Sequence, residues 1–323
     1  MIVTYGEALV DMIEMPDGRF AAALGGAVCN FTLAVARQAL DVTYLNPLST
    51  DSFGQRFAQL LAPAGVRLGS ALRSTRPTSL AIVTLDASKS PSYAFHRQGV
   101  ADRDITPAQA SAALPAGLRL FHTGGLALVP EDLDATLHII QAAANAGALI
   151  SIDANMRPRA CDDLPAYAAG VRRALAHAHL LKVSEEDLRY LGYTEQTPLE
   201  AARAVLDTTN VGLIALTLGA QGAVLLSRRT SVTLAAPAGI RLIDTVGCGD
   251  CFLAGLVASM AAQNQLSVAT LSDTGDATLR QALHHAVASA SLNAMREGCS
   301  PPTAAEVAEF LAEQANEKTA VSE

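Results

Sequence analysis

The chain has 323 residues, half of them hydrophobic and 17% charged, which gives room for a sizeable core and excludes a disordered chain. Its net charge is −8 and its 23 basic residues are scattered; this excludes a nucleic-acid groove or a polybasic membrane patch, both of which need clustered Lys and Arg. The start, MIVTYGEALVDMIEMPDG, has no basic segment and carries Glu7, and no run approaches ~18 apolar residues, so a cytoplasmic chain with no signal peptide and no membrane span is expected.

In chain order, MIVTYGEALV reads as a buried strand ending at Gly6. A helix is predicted over 30–40, with Phe31, Leu33, Ala34 and Leu40 at helical spacing. DVTYLNPLS reads as a strand, and DSFGQRFAQLLAPAG as a helix capped by Asp51 or Ser52 and stopped by Gly65. The rhythm resumes with LRLFHTGG (strand), PEDLDATLHIIQAAANAG (helix), ALISIDAN (strand), LPAYAAGVRRALAHA (helix) and HLLKVS (strand). EEDLRYLG and PLEAARAVLDTT read as helices, VGLIALTLG as a strand and 222–237 as a hairpin. Three helices are then predicted at 251–263, 276–295 and 303–316, with NQLSVATLSDTG as a loop. Aliphatic strands spaced by helices imply an α/β fold with a parallel sheet covered on both faces. About 11–23 and 78–99 alternate more like antiparallel strands and read as a small excursion, a lid inserted in one domain over 1–323. The five cysteines, Cys29, Cys161, Cys248, Cys251 and Cys299, form no framework and read as reduced thiols.

The stretch DTVGCGDCF at 244–252 supports two readings. Cys248 and Cys251 form a CxxC, the pattern of a redox pair or half a zinc site. Asp250 between the thiols would raise their pKa, however, and no second CxxC or spaced His pair completes a zinc site. In the other reading, Gly247 and Gly249 precede the helical stripe Phe252, Leu253, Leu256, Val257 and Met260. Free N–H groups and the helix dipole there favour an anion. Asp250 adds like charge to such a cradle, which makes sense if it accepts a proton from an attacking hydroxyl; helix capping explains it equally well.

The stretch resembles the second signature of the pfkB (ribokinase-like) carbohydrate kinases, DTxGAGDxFxxG, with Cys248 in place of Ala. Four further runs stand in the family's order: GEALVDM, LGGAVCNFTLAVARQAL, DANMRP and TLGAQG. The resemblance implies a Rossmann-like αβα sandwich with a small β-sheet lid. It also implies an ATP-dependent kinase phosphorylating a primary hydroxyl, with fructose the expected sugar and 2-keto-3-deoxygluconate the alternative. Ribokinase activity and a non-catalytic sugar-binding regulator rank lower. A nicotinamide enzyme has no support, because no GxGxxG follows the first strand.

Residue by residue, the resemblance makes Asp250 the base, with Gly247, Cys248 and Gly249 holding the transferred phosphoryl. It assigns Asp11, Gly25, Gly26, Asn30, Arg97 and Arg157 to the sugar, and Ser184, Thr217, Gly219, Gly222 and Asn293 to the nucleotide. Asp187, in Ser184-Glu185-Glu186-Asp187, stands where the family has a longer Glu and is expected to reach Mg²⁺ through water. Asp244 and Val246, with the later REGCSPP run, correspond to a monovalent-cation site, so K⁺ is an open expectation. A homodimer through the lid is the expected assembly.

Overall fold

The opening apolar run divides in two. β1 (Ile2–Thr4) enters the middle of a large sheet, while β2 (Leu9–Glu14) belongs to a second, smaller one. A continuously apolar decapeptide gives no periodicity break to betray that split. This computed structural model describes residues 1–70, 73–85 and 91–321. Among them follow β3 (Phe20–Gly25), α1 (Ala27–Arg37), β4 (Val42–Tyr44), α2 (Ser52–Leu61), β5 (Arg67–Leu68), β6 (Ser79–Leu85), β7 (Pro91–His96), α3 (Pro107–Ala112) and β8 (Leu120–Gly124). Next come α4 (Pro130–Asn145), β9 (Leu149–Asp153), α5 (Leu164–Leu175), β10 (Leu180–Ser184), α6 (Glu185–Tyr190), α7 (Pro198–Thr208) and β11 (Leu213–Thr217). The chain closes with β12 (Ala223–Ser227), β13 (Ser231–Leu234), α8 (Cys248–Ala262), α9 (Val268–Leu271), α10 (Asp276–Ala294) and α11 (Ala304–Val321).

The large sheet runs β13-β12-β11-β10-β9-β8-β1-β4-β5. All pairs from β5 to β11 are parallel, and β12 and β13 add an antiparallel edge. Helices cover both faces, so successive strand residues alternate between two cores. Ile214 and Leu216 pack with Ile139, Val171 and Val205 of α4, α5 and α7. Leu213 and Ala215 pack with Leu253, Val257 and Leu283 of α8 and α10. Strand order moves outward from β1 to β5, then restarts on the other side of β1 at β8. A crevice outside the carboxyl ends of the strands forms at such a reversal.

The small sheet runs β3-β2-β6-β7, with β2 and β6 parallel and the outer pairs antiparallel. Its strands fall on the two expected excursions, each beginning or ending within a few residues of the predicted limits; residues 86–90 of the second excursion lie outside the described residues. Ile13, Phe20 and Tyr93 are exposed on it.

Three local differences have physical causes. α8 starts at Cys248, three residues before the predicted limit, because the glycine turn is itself the first helical turn. The loop expected around 264–275 contains α9, capped by the Ser267 side chain accepting from the Thr270 N–H. α3, not expected, is fixed by a Thr106/Gln109 capping box with Pro107 at its first position. α8 is buried on nearly all sides and lies so close to α10 that a Cβ on Gly255 would overlap Ser289 Oγ. No helix among the described residues is long and apolar enough to cross a membrane.

Candidate active site

The site grows from the turn into α8. Gly247 caps the helix with φ +74°, the left-handed region, and a Cβ there would overlap the Cys299 side chain. Gly247→Ala therefore meets both backbone strain of about 1–2 kcal/mol and a steric clash. A lowered Tm, with activity falling in parallel, is the expected result; an unchanged Tm would show that the turn tolerates a side chain. Gly249 permits a different close approach: its Cβ would sit 3.1 Å from Lys182 Nζ. The first N–H groups of α8 thus open beside an ammonium group.

Asp250 follows in the same turn, 8% exposed, with Oδ2 accepting from Asn30 Nδ2 at 3.0 Å. Burial, then the like charge of Asp153, push its carboxyl up to about 7, against the opposing pull of Lys182, Asn30 and Arg157. Lys182 Nζ donates to both Asp153 oxygens at 3.0 Å. Burial works against the Lys182 charge, and the carboxylates of Asp153, then Asp187 and Asp250, more than offset it, so the ammonium pKa is raised. Two charged side chains from neighbouring strands, β9 and β10, are thereby brought beneath the glycine turn.

Asn30, Lys182, Gly247, Gly249 and Asp250 line a cleft of about 380 Å³ between the large and small sheets. The small sheet contributes Leu9, Asp11, Tyr93 and Phe95; the loop before α8 contributes Thr245 and Val246. Asp11 is also pushed up, to about 6, by burial, with Arg157 opposing. A Cβ on Gly25 would press on Asp11 Oδ2, and Gly26, with φ +100°, starts α1 directly beneath the Glu7 carbonyl. Arg157 lines the cleft, with Nη1 held by Asn155 Oδ1 at 2.6 Å.

The structure brings together Asp11, Gly26, Asn30, Arg157, Gly247, Gly249 and Asp250 in that cleft, with Gly25 directly behind Asp11. Arg97 is not brought there. Its guanidinium is withdrawn into a buried cluster, 3.6 Å from Asp102 and 3.3 Å from Asp132, and it also donates to the Leu126 carbonyl. The expected sugar contact is thus replaced by an ion-pair role behind the wall. Cys248 lies at the start of α8, half-buried, with its thiol pKa raised chiefly by burial; it takes a hydrogen bond from Asn293. Asn293 is fully buried: Nδ2 also donates to the Val246 carbonyl, and Oδ1 accepts from the Ser300 N–H. It clasps the glycine turn to the loop after α10, which leaves it no free group for a nucleotide.

Asp244 joins the same clasp, its two oxygens accepting from the Val246 and Gly298 N–H groups. Ser184 and Asp187 form the capping box of α6, and Asp187 Oδ1 accepts from the Met156 N–H. Asp187 is buried and engaged by three protein donors, so it does not fit the expected reach towards Mg²⁺. No group of three or more His, Cys, Asp or Glu among the described residues is arranged to hold a metal. Thr217, Gly219 and Gly222 lie at and beyond the carboxyl end of β11, on the same sheet edge but outside this cleft.

Glu7, Asp153 and Lys182 escaped the sequence reading as site residues. Each left a signal: a charged residue inside an apolar run destined for burial needs a partner.

The profile of the pfkB family carbohydrate kinases matches residues 1–306. The chain belongs to the pfkB family of carbohydrate kinases. It is a phosphotransferase with a sugar acceptor. The pfkB chain is 30% identical over 284 residues to a fructokinase of Rhizobium leguminosarum bv. trifolii, covering 87% of this chain and 86% of that protein. It is 28% identical to fructokinase-2 of Solanum lycopersicum, covering 96% of each. Among solved structures, fructokinase of Xylella fastidiosa with bound ATP superposes with a TM-score of 0.84 at 26% identity, covering 97% of this chain and 98% of that one. Fructokinase of Vibrio cholerae O395 in fructose-, ADP- and calcium-bound form gives 0.77 at 26% identity, covering 96% and 98%. The fold is therefore that of the ribokinase-like kinases, an αβα sandwich with a small separate sheet.

Proposed function

We propose that this pfkB kinase transfers the γ-phosphoryl group of ATP to a primary hydroxyl of fructose. The carrying observation is Asp250: a buried carboxyl with a pKa near 7, oriented by Asn30, in the N-terminal turn of a helix and open to a cleft. An ordinary cap has no need of a pKa near working pH, whereas a general base does. Asp250 takes the proton of the hydroxyl as its oxygen bonds to the γ-phosphorus. The bond from that phosphorus to the bridging oxygen breaks, and ADP leaves with the electron pair. The Gly247 and Gly249 N–H groups, with the α8 dipole, would stabilise charge on the transferring group, whereas the Cys248 N–H already donates to the Thr245 carbonyl. Mg²⁺ accompanying the nucleotide would supply neutralisation of the phosphate charge; among the described residues no group of three or more His, Cys, Asp or Glu would hold it.

Fructose is favoured over 2-keto-3-deoxygluconate by the charges of the cleft. A sugar acid needs cationic partners, and Arg157 faces the cavity while Arg97 is held behind its wall. The relatives named fructokinase support the same choice. Leu9, Asp11, Tyr93 and Phe95 on the cleft wall support reading the small sheet as a lid that excludes water. Its exposed Ile13, Phe20 and Tyr93 favour this sheet as a homodimer surface. The chain works on soluble metabolites, and a cytoplasmic location suits that.

The test is ADP release from ATP with fructose, 2-keto-3-deoxygluconate, ribose and adenosine offered separately, Mg²⁺ and K⁺ being present. Fastest turnover with fructose is expected. Preference for the sugar acid would overturn the substrate, and binding of a sugar without turnover would favour a regulator.

A further inference from the structure

Among the described residues, Glu7 is the one cleft-wall carboxyl with a buried oxygen left unpartnered. It is 3% exposed and follows β1 at the point where the chain leaves the large sheet. Oε1 accepts from the Ala27 N–H at 3.0 Å, the first residue of α1, and the Glu7 carbonyl accepts from the Cys29 N–H. Oε2 has no partner among the described residues. A native structure rarely leaves such an atom unpaired without a use for it. Glu7 lies on the cavity wall beside Gly26, Asn30 and Arg157.

We infer that Glu7 is a substrate-binding residue: Oε2 pairs with a sugar hydroxyl other than the one phosphorylated, and so selects a neutral polyhydroxyl substrate over one carrying a carboxylate. The inference rests on the sugar-kinase reading above and deepens it. Its geometry follows from α1. Glu7 is fixed at Ala27, whereas Asn30, three residues on, holds Asp250. A rise of ~1.5 Å per residue sets the two anchors, Ala27 and Asn30, about 4.5 Å apart along the axis, of the order of the spacing between two hydroxyls on one sugar. With Asp11 and Asp250, Glu7 makes three acidic side chains on the wall, against Arg157 and a Lys182 already paired to Asp153. A substrate carboxylate placed there meets like charge. Burial pushes Glu7 up to about 7, with Arg97 the chief opposing influence, then the Glu7 backbone hydrogen bond and Arg157, and Asp102 adding to the rise. Near neutrality part of Glu7 holds a proton, and accepting the hydrogen bond of a hydroxyl favours the carboxylate, so binding draws that proton off.

Glu7→Gln is the direct test, because the amide oxygen can still accept from Ala27. The expected result is a KM for fructose raised about 10-fold or more, with KM for ATP and Tm little changed. A set of monodeoxy-fructoses then locates the contact. For one analogue, the wild-type loss and the Glu7→Gln loss should fail to add, since both remove the same hydrogen bond. The ratio of sugar-acid to fructose turnover should also rise in the variant. Unchanged fructose KM in a folded variant, or additive losses for every analogue, would overturn the inference and leave Glu7 as a clasp for α1. If Glu7→Gln does not fold, titration calorimetry on Asp250→Asn, which lacks the other carboxyl of pKa near 7, decides the matter. Fructose binding at pH 7 should release protons as Oε2 accepts the hydroxyl, and no proton release overturns the inference. A wild type inactive on fructose but active on another neutral sugar would sink only the substrate choice, and the same tests run with that sugar.

Discussion

Asp250→Asn is expected to lower kcat by about 10³-fold, the range lost when a positioned general base is removed, with KM for the sugar within a few-fold of wild type. Asparagine keeps the shape and can still accept from Asn30 Nδ2, so the cleft should hold. A stability measurement separates base from cap. The folded-state pKa of Asp250 is raised to about 7, above the roughly 3.9 of an unfolded Asp. The folded state therefore holds the extra proton between those limits and loses stability as pH rises through that window. The amide abolishes this loss, so at pH 8 the variant should be at least as stable as wild type while nearly inactive. Loss of activity within 10-fold, accompanied by a lower Tm, would return Asp250 to capping α8.

The glycine turn and Asp250 were legible because their geometry is local: two glycines, a carboxylate and an apolar helix lie within a dozen consecutive residues. The βα rhythm was legible for the same reason, each strand declaring itself by a short aliphatic run. What sequence could not show is what the fold brings from a distance. Arg97 looks free in AFHRQG; only the folded chain shows that Asp102 and Asp132 capture it. Asn293 and its partner Ser300 are close in sequence, yet the other partner of Asn293, Val246, is 47 residues away. Asp187 matched a motif position, but its neighbour Ser184 and the Met156 N–H claim the carboxylate. Lys182 and Asp153 sit on adjacent strands, and their pairing depends on strand order, which no local pattern encodes.

That pair carries the second large expectation. Lys182→Met strands a buried carboxylate, and Asp153→Asn strands a buried ammonium; breaking a buried ion pair from one side costs about 3–5 kcal/mol. The double variant should be more stable than the sum of the single losses predicts, because neither charge is left alone. The pH profiles should move in opposite directions. Lys182 lowers the Asp250 pKa and Asp153 raises it, while Asn30 and Arg157, which also lower it, are untouched. Removing Lys182 therefore lifts the acid limb of kcat/KM above about pH 7, by a unit or more given an opposite charge this near. Removing Asp153 drops the limb, and more so because the freed ammonium can then turn to Asp250. The opposite signs matter, since a general loosening of the cleft would shift both limbs the same way. If both variants shift together, or neither shifts, the limb belongs to another group, and the buried pair is part of the scaffold rather than of the device that sets the base.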